Sequence, residues 1–255
     1  MEQGKVKKYL AYAIGEIFLI VVGILIALQI SNYTDEQQDR KLEKQALMAL
    51  VRELDETIRD IDVVTAGNTR LLEELDELLA KLSAGPETPA EQREFYMLSV
   101  KSTYWYLRIE FSNSTLSQLK FNGDFRLIQS PAIIEKIHDY DLGVVETEFV
   151  YSEVMRYFQL IEESQKDLLN LQLAKRAYEY IEEDFMRMLL PVSQFEDMVE
   201  EGDYFSDTSA KGLRDYYGDV LFYRTALNNT VFLSLEQKNR AIALRDMINQ
   251  YYGIQ

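Results

Sequence analysis

The stretch from Tyr9 to Ile30, YLAYAIGEIFLIVVGILIALQI, is apolar over nearly its whole length. As a helix rising about 1.5 Å per residue it spans about 30 Å, the hydrocarbon thickness of a bilayer. Residues 9–30 are therefore expected to contact lipid as a transmembrane helix, which leaves residues 31–255 to build everything else. A cleaved signal peptide and a buried soluble helix are the rival readings. Against the signal peptide, the run ends Ala27-Leu28-Gln29-Ile30-Ser31, without a small-x-small cleavage pattern.

Charge orients the span. Lys5, Lys7 and Lys8 precede it, whereas Asp35 and Glu36 follow it. The positive-inside bias then places residues 1–8 in the cytoplasm and the bulk of the chain on the other side. Residues 1–30 hold these three lysines against Glu2 and Glu16, so they carry +1 of the net −16, leaving −17 for the remainder. A soluble part this acidic repels nucleic acid and anionic lipid surfaces, so no nucleic-acid partner is expected. The absence of cysteine rules out a disulfide framework, a thiol nucleophile and Cys-type metal sites. With 47% hydrophobic residues the chain has the material for a packed core.

Small residues mark the span. Ala11, Gly15, Gly23 and Ala27 fall at four- and eight-residue steps, the small-xxx-small spacing that lets helices approach closely in lipid. Glu16 sits beside them. A charged group deep in a bilayer costs roughly 2.5–3.5 kcal/mol on insertion scales, and acidic side chains there tend to face a partner helix or water. Three readings of Glu16 stay open: an interfacial group without a role, a helix–helix contact in the membrane, and an ion- or proton-conducting group. The candidate contact set is Ala11, Gly15, Glu16, Gly23 and Ala27, serving a homo-oligomer or a second membrane protein.

Past the span, TDEQQDRKLEKQ holds no Gly or Pro, so the membrane helix is expected to continue through it. Leu47, Leu50, Leu54, Ile61, Val64, Leu71, Leu75, Leu78 and Leu82 keep a three-four repeat, with Thr57 and Asn68 as its polar members. Such a stripe is either one face of a helical bundle or a homotypic coiled coil. Gly67-Asn68 is a possible kink, and Ser83-Ala84-Gly85-Pro86 stops the helix. Thr88-Pro89-Ala90-Glu91 restarts one with a capping box, expected to run to about Phe111. Leu116–Leu119 reads as a short helix, Phe121–Asp124 as a turn and Ser130-Pro131 as a cap. Helical spacing then holds for some 40 residues from Ile133, with further helix to about Leu190 before Pro191. Ser193–Glu200 reads as a short helix, and Ser209–Tyr252 as one or two closing helices. No strand pattern is present.

The start Lys8-Tyr9-Leu10-Ala11-Tyr12-Ala13-Ile14-Gly15-Glu16-Ile17, continuing as Gly23-Ile24-Leu25-Ile26-Ala27-Leu28-Gln29-Ile30, resembles a bacterial domain-of-unknown-function family of single-pass membrane proteins. That family opens K-Y-x-x-Y-A-I-G-E-I and closes the span G-I-L-I-A-L-Q-I-N-N-W; Ser31-Asn32-Tyr33 stands here in place of N-N-W. The segment Leu119–Ser130 is similar to the family's S-G-x-L-x-L-I turn, with Phe121-Asn122 in place of its small pair. The resemblance implies an anchored, mainly helical protein of unknown activity, and with the charge bias the expected location is the bacterial inner membrane with the bulk of the chain in the periplasm. It supplies no catalytic residues.

Chemistry is sparse. Glu135-x-x-His138 has the spacing of a di-iron carboxylate motif, but His138 is the single histidine, so no metal or other cofactor is expected. Glu73-Glu74, Glu162-Glu163 and Glu182-Glu183-Asp184 are sequence neighbours that point apart on a helix and read as solvated faces. No nucleotide, hydrolase or zinc-protease motif occurs, so an enzyme is not expected. The 17 tyrosines and 12 phenylalanines pack helices in the simplest reading; an aromatic ligand pocket is the other.

The expected protein is all-α, an N-terminal transmembrane helix continuing into a long-helix extracytoplasmic bundle (1–8 cytoplasmic, 9–30 membrane, 31–255 bundle). Its expected role is interaction or scaffolding in the cell envelope. The alternatives are a periplasmic sensory or ligand-binding module signalling through a partner, and an accessory subunit of an ion-conducting complex.

Overall fold

The computed structural model describes residues 3–121, 123–207 and 209–253; for residues 3–14, 124, 185 and 210 the backbone alone is described. The fold is all-α. Its first element, α1 (Gln3–Ala84), is one helix of 82 residues, about 120 Å long. No proline interrupts it, and it runs unbroken through Gly67-Asn68. It ends as its sequence directs: Gly85 adopts φ +76°, and its N–H donates to the Lys81 carbonyl at 3.1 Å.

The stripe on α1 is buried along its whole length. Leu47, Leu54, Ile61, Leu71, Leu75 and Leu78 are fully inaccessible, and Thr57 and Asn68 are buried with them. Helices of the same chain cover it: α6 (Ala210–Tyr252) lies directly against α1, and α4 (Pro131–Leu168), packed on α6, shares its core clusters. At one end Leu47, Leu50 and Leu54 join Ile133 and Ile137 of α4 and Leu244 and Ile248 of α6. At the other, Leu75 and Leu78 join Ile161 and Leu168 of α4 and Tyr216 and Val220 of α6. Thus α4 runs parallel to α1, and α6 runs back against both.

Charge sets the α1–α6 register. Asp55, Asp62 and Asp76 pair with Arg245, Lys238 and Arg224, so steps of seven and fourteen residues up α1 match equal steps down α6. Exposed pairs stabilise by at most about 1 kcal/mol each, so they select register more than they add stability. At the α4–α6 crossing Gly143 has no Cβ to collide with Gln237 and Arg240, and Gln237 donates to the Tyr140 carbonyl at 3.0 Å.

Shorter elements pack on both ends of the long helices, α2 (Pro89–Ser102) at the end remote from the apolar span and the helix that follows it at the near end. α2 has the complete capping box of Thr88 and Glu91 with Pro89 in the first turn. It stops at Ser102 rather than near Phe111, and residues 103–113 run in a non-helical path. Side chains of the long helices satisfy its backbone. Asn68 of α1 pairs with Leu107, Tyr151 of α4 accepts from the Ile109 N–H at 3.2 Å, and Tyr223 of α6 donates to the Trp105 carbonyl at 2.7 Å. α3 (Ser114–Phe121) follows, with Glu53 of α1 accepting from the Thr115 N–H and the Ser114 hydroxyl. Gly123 turns with φ +70°, and Ser130 and Pro131 start α4.

The second departure lies after Leu168. Further helix does extend to about Leu190, but with a break: the chain leaves α4 at Leu169, where the Leu169–Phe205 bridge and the Asn170 N–H to Tyr204 carbonyl bond replace helical bonds. A 3-10 turn, α5 (Lys175–Glu183) and two further 3-10 segments (Phe185–Leu189 and Val192–Met198) fold over this end. Ser209 then caps α6, a single helix that ends at Gly253 with φ +63°.

Candidate functional site

Packing begins at Glu43. From Gly15 to Asp39, α1 stands clear of the bundle, its side chains exposed apart from a half-buried Val22. One 18-residue window near the N-terminus is apolar enough to cross a membrane, and none of it is buried within the chain. Ile17, Phe18, Leu19, Ile24 and Ile30 are all more than half exposed. An unpartnered surface of this kind in water would be an aggregation site; in lipid it needs no cover.

Gly15, Glu16, Gly23 and Ala27 all lie on this free segment; Ala11 falls outside the residues whose side chains are described. A Cβ on Gly15 or Gly23 would meet nothing within 4 Å. On the unbroken helix, Glu16 and Gly23 are seven residues apart, a difference in azimuth of about 20°. Ala27 falls within the same sector. Glu16 therefore shares a face with Gly23 and Ala27 more closely than Gly15 does.

The chain returns to this end. Arg40 lies 3.4 Å from the Tyr251 hydroxyl, and the Lys44 ammonium sits 5.5 Å over the Tyr252 ring. Buried Glu43 accepts from the Gln129 N–H at 2.9 Å and pairs with Arg40, tying the α3–α4 connection to α1. His138, the candidate metal ligand, instead stacks on Phe125 with centroids 5.6 Å apart. Among the described residues no three acidic or histidine side chains converge as metal ligands.

The remote end holds the polar and aromatic concentrations. Between α4 and α5 lies a cavity of about 260 Å³, walled by Tyr104, Phe158 and Tyr178 with Glu162 and Glu182 beside them. The Tyr104 and Tyr178 rings meet at 40° with centroids 5.1 Å apart. Gln165 holds the inner wall, donating to the Ser99 carbonyl at 3.1 Å and the Thr103 hydroxyl at 3.0 Å. Burial pushes the Tyr104 phenol up, and Glu182 and Glu162 push it further. Tyr178 is raised by burial and by the surrounding Tyr96, Tyr216 and Tyr104. A groove of about 610 Å³ adjoins this cavity and shares Leu171, Tyr178 and Glu182 with it. A separate cleft of about 310 Å³ between α4 and α6 is acidic, with Glu163, Asp167, Asp207, Asp215 and Asp219. There burial raises the Asp219 carboxyl, with Asp215 and Glu163 adding to it.

One carboxylate departs from the solvated reading. Glu74 forms an ion pair with Lys101, whose side chain is 2% exposed against 20% for Glu74. Burial raises the carboxyl and lowers the ammonium, more than their attraction recovers. The meeting of Glu162 and Glu182 was not legible in sequence, because they lie 20 residues apart on two helices whose break was not apparent.

In comparisons with known proteins, the chain matches no family model, no curated protein and no solved structure.

Proposed function

We propose that this protein is a single-pass, membrane-anchored helical adaptor of the bacterial cell envelope that works by binding protein, either a second copy or another membrane protein. The observation that carries this reading is the free segment of α1. The bundle buries its own stripe, yet the Gly15–Ile30 surface is left without a partner among the described residues. In lipid the small residues Gly15, Gly23 and Ala27 offer close backbone approach. Glu16, on the same face as Gly23 and Ala27, supplies a polar group that gains from a partner more than from hydrocarbon.

In this reading residues 1–8 are cytoplasmic and the acidic bundle is periplasmic, in keeping with the lysines before the span and the carboxylates after it. The resemblance of residues 8–30 to a family of anchored proteins fits the same assignment. The activity is binding rather than catalysis. The test is the particle mass in native-lipid nanodiscs for the wild type and for Gly15→Leu/Gly23→Leu. An assembly larger than one chain that falls to monomer in the variant supports the proposal. A wild-type monomer that also crosslinks to no other membrane protein overturns it.

A further inference from the structure

The cavity between α4 and α5 combines two features that packing alone does not require together. Its walls are aromatic, from Tyr104, Phe158 and Tyr178, and its acidic groups, Glu162 and Glu182, come from different helices. Both carboxylates line the same cavity as Tyr104 and Tyr178. Neither carries an ion pair among the described residues, although the same helices pair Lys175 with Glu179 and Arg156 with Glu153. Aromatic faces attract cations through their quadrupole. An anion would meet two carboxylates here. A neutral apolar molecule would use the walls and leave the carboxylates idle.

We propose that this cavity binds a small organic cation, with its ammonium group against the Tyr104–Tyr178 wall and between Glu162 and Glu182. At about 260 Å³ it suits a headgroup below the roughly 300–1,000 Å³ of drug-sized pockets. The adjoining groove past Leu171 gives a substituent on that headgroup room to extend. Lys166 also lines the cavity and is the competing cation. The site goes beyond the membrane-adaptor reading and does not depend on it, because it lies at the opposite end of the bundle from the span.

The test uses the full chain in nanodiscs, titrated by calorimetry with choline and with its uncharged isostere in which carbon replaces nitrogen. Choline is expected to bind saturably, and the isostere on the order of tenfold more weakly. Glu162→Gln/Glu182→Gln, at exposed positions that leave the core intact, is expected to weaken choline on the order of tenfold or more. Lys166→Met is expected to tighten it, an effect that damage to the fold would not produce. Equal affinity for choline and the isostere overturns the proposal. So does unchanged choline binding in the double carboxylate variant, or no saturable binding of choline to either the wild type or Lys166→Met.

Discussion

Asn68 and Leu107, 39 residues apart, meet as a two-way hydrogen-bonded pair. The Asn68 amide donates to the Leu107 carbonyl at 2.8 Å, and the Leu107 N–H donates to the Asn68 side-chain carbonyl at 2.8 Å. The polar interruption in the α1 stripe is thus the point where the non-helical segment 103–113 is fastened. Gly67 beside it gives the Leu107 side chain room to lie against α1. Asn68→Ala leaves both Leu107 backbone groups without partners, at about 1–3 kcal/mol each. The expected loss, about 2–5 kcal/mol, is measured by denaturant unfolding; a change within about 0.5 kcal/mol would contradict this role.

The Glu74–Lys101 pair predicts a non-additive cycle. Lys101→Met strands a carboxylate that is 20% exposed and is expected to destabilise by about 3–5 kcal/mol. Lys101→Met/Glu74→Leu removes both charges and is expected to lose less than that single variant. In Lys101→Met, Glu74 has its folded pKa raised further above its unfolded value. The native state then binds the proton more tightly, so the variant regains stability as pH falls through the acid range. Unfolding free energies of the wild type, Lys101→Met, Glu74→Leu and the double variant, measured against pH, check both statements.

Alkali attacks the bundle through its tyrosines. Burial pushes Tyr216 up to about 12, and burial also raises Tyr223, Tyr140 and Tyr151 above the usual phenol value. A raised folded pKa on these groups gives stability that is complete below the unfolded value of about 10 and lost as pH rises through the folded one. Each such phenol contributes a slope of about 1.4 kcal/mol per pH unit in that window. Unfolding followed by helix signal should coincide with a cooperative burst of phenolate absorbance above pH 10. Gradual ionisation with the helices intact would contradict the burial of these rings.

The free segment also predicts separability. Deleting residues 1–36 removes the apolar surface and leaves every core residue from Leu47 onward. The shortened chain is expected in the soluble fraction, helical, with a melting temperature close to that of the full protein's bundle. Loss of cooperative melting would show that the bundle leans on the span.

The long helices were legible in the sequence because their core faces repeat. Leu47 to Leu82 keep one stripe, and the structure buries it throughout. Caps were equally plain: Thr88 with Glu91 and Ser130 with Pro131 each start a helix with a bonded side chain. The two helix breaks that spacing did not reveal share one physical cause. Tyr104–Phe111 and Leu169–Leu173 keep apolar spacing, but their backbone bonds go to Asn68, Tyr151, Tyr223 and Tyr204 from distant parts of the chain. Periodicity reports which side chains are buried, not which backbone groups a tertiary partner will claim. The Tyr104–Tyr178 cavity depends on both breaks, so its residues could not be assembled from spacing alone.

The central claim, that the free face of α1 makes a specific contact in the membrane, is tested most directly by cysteine crosslinking. The chain has no cysteine, so each introduced thiol reports alone. Single Gly15→Cys, Gly23→Cys and Ala27→Cys variants are oxidised in native membranes beside Val21→Cys and Leu25→Cys. The last two positions lie about 160° from Gly23 around the helix. The account predicts disulfide-linked products, with a second copy or with one other membrane protein, that peak at Gly23 and Ala27 and fall away at Val21 and Leu25. Products of equal yield at all five positions, or none at any, would contradict it.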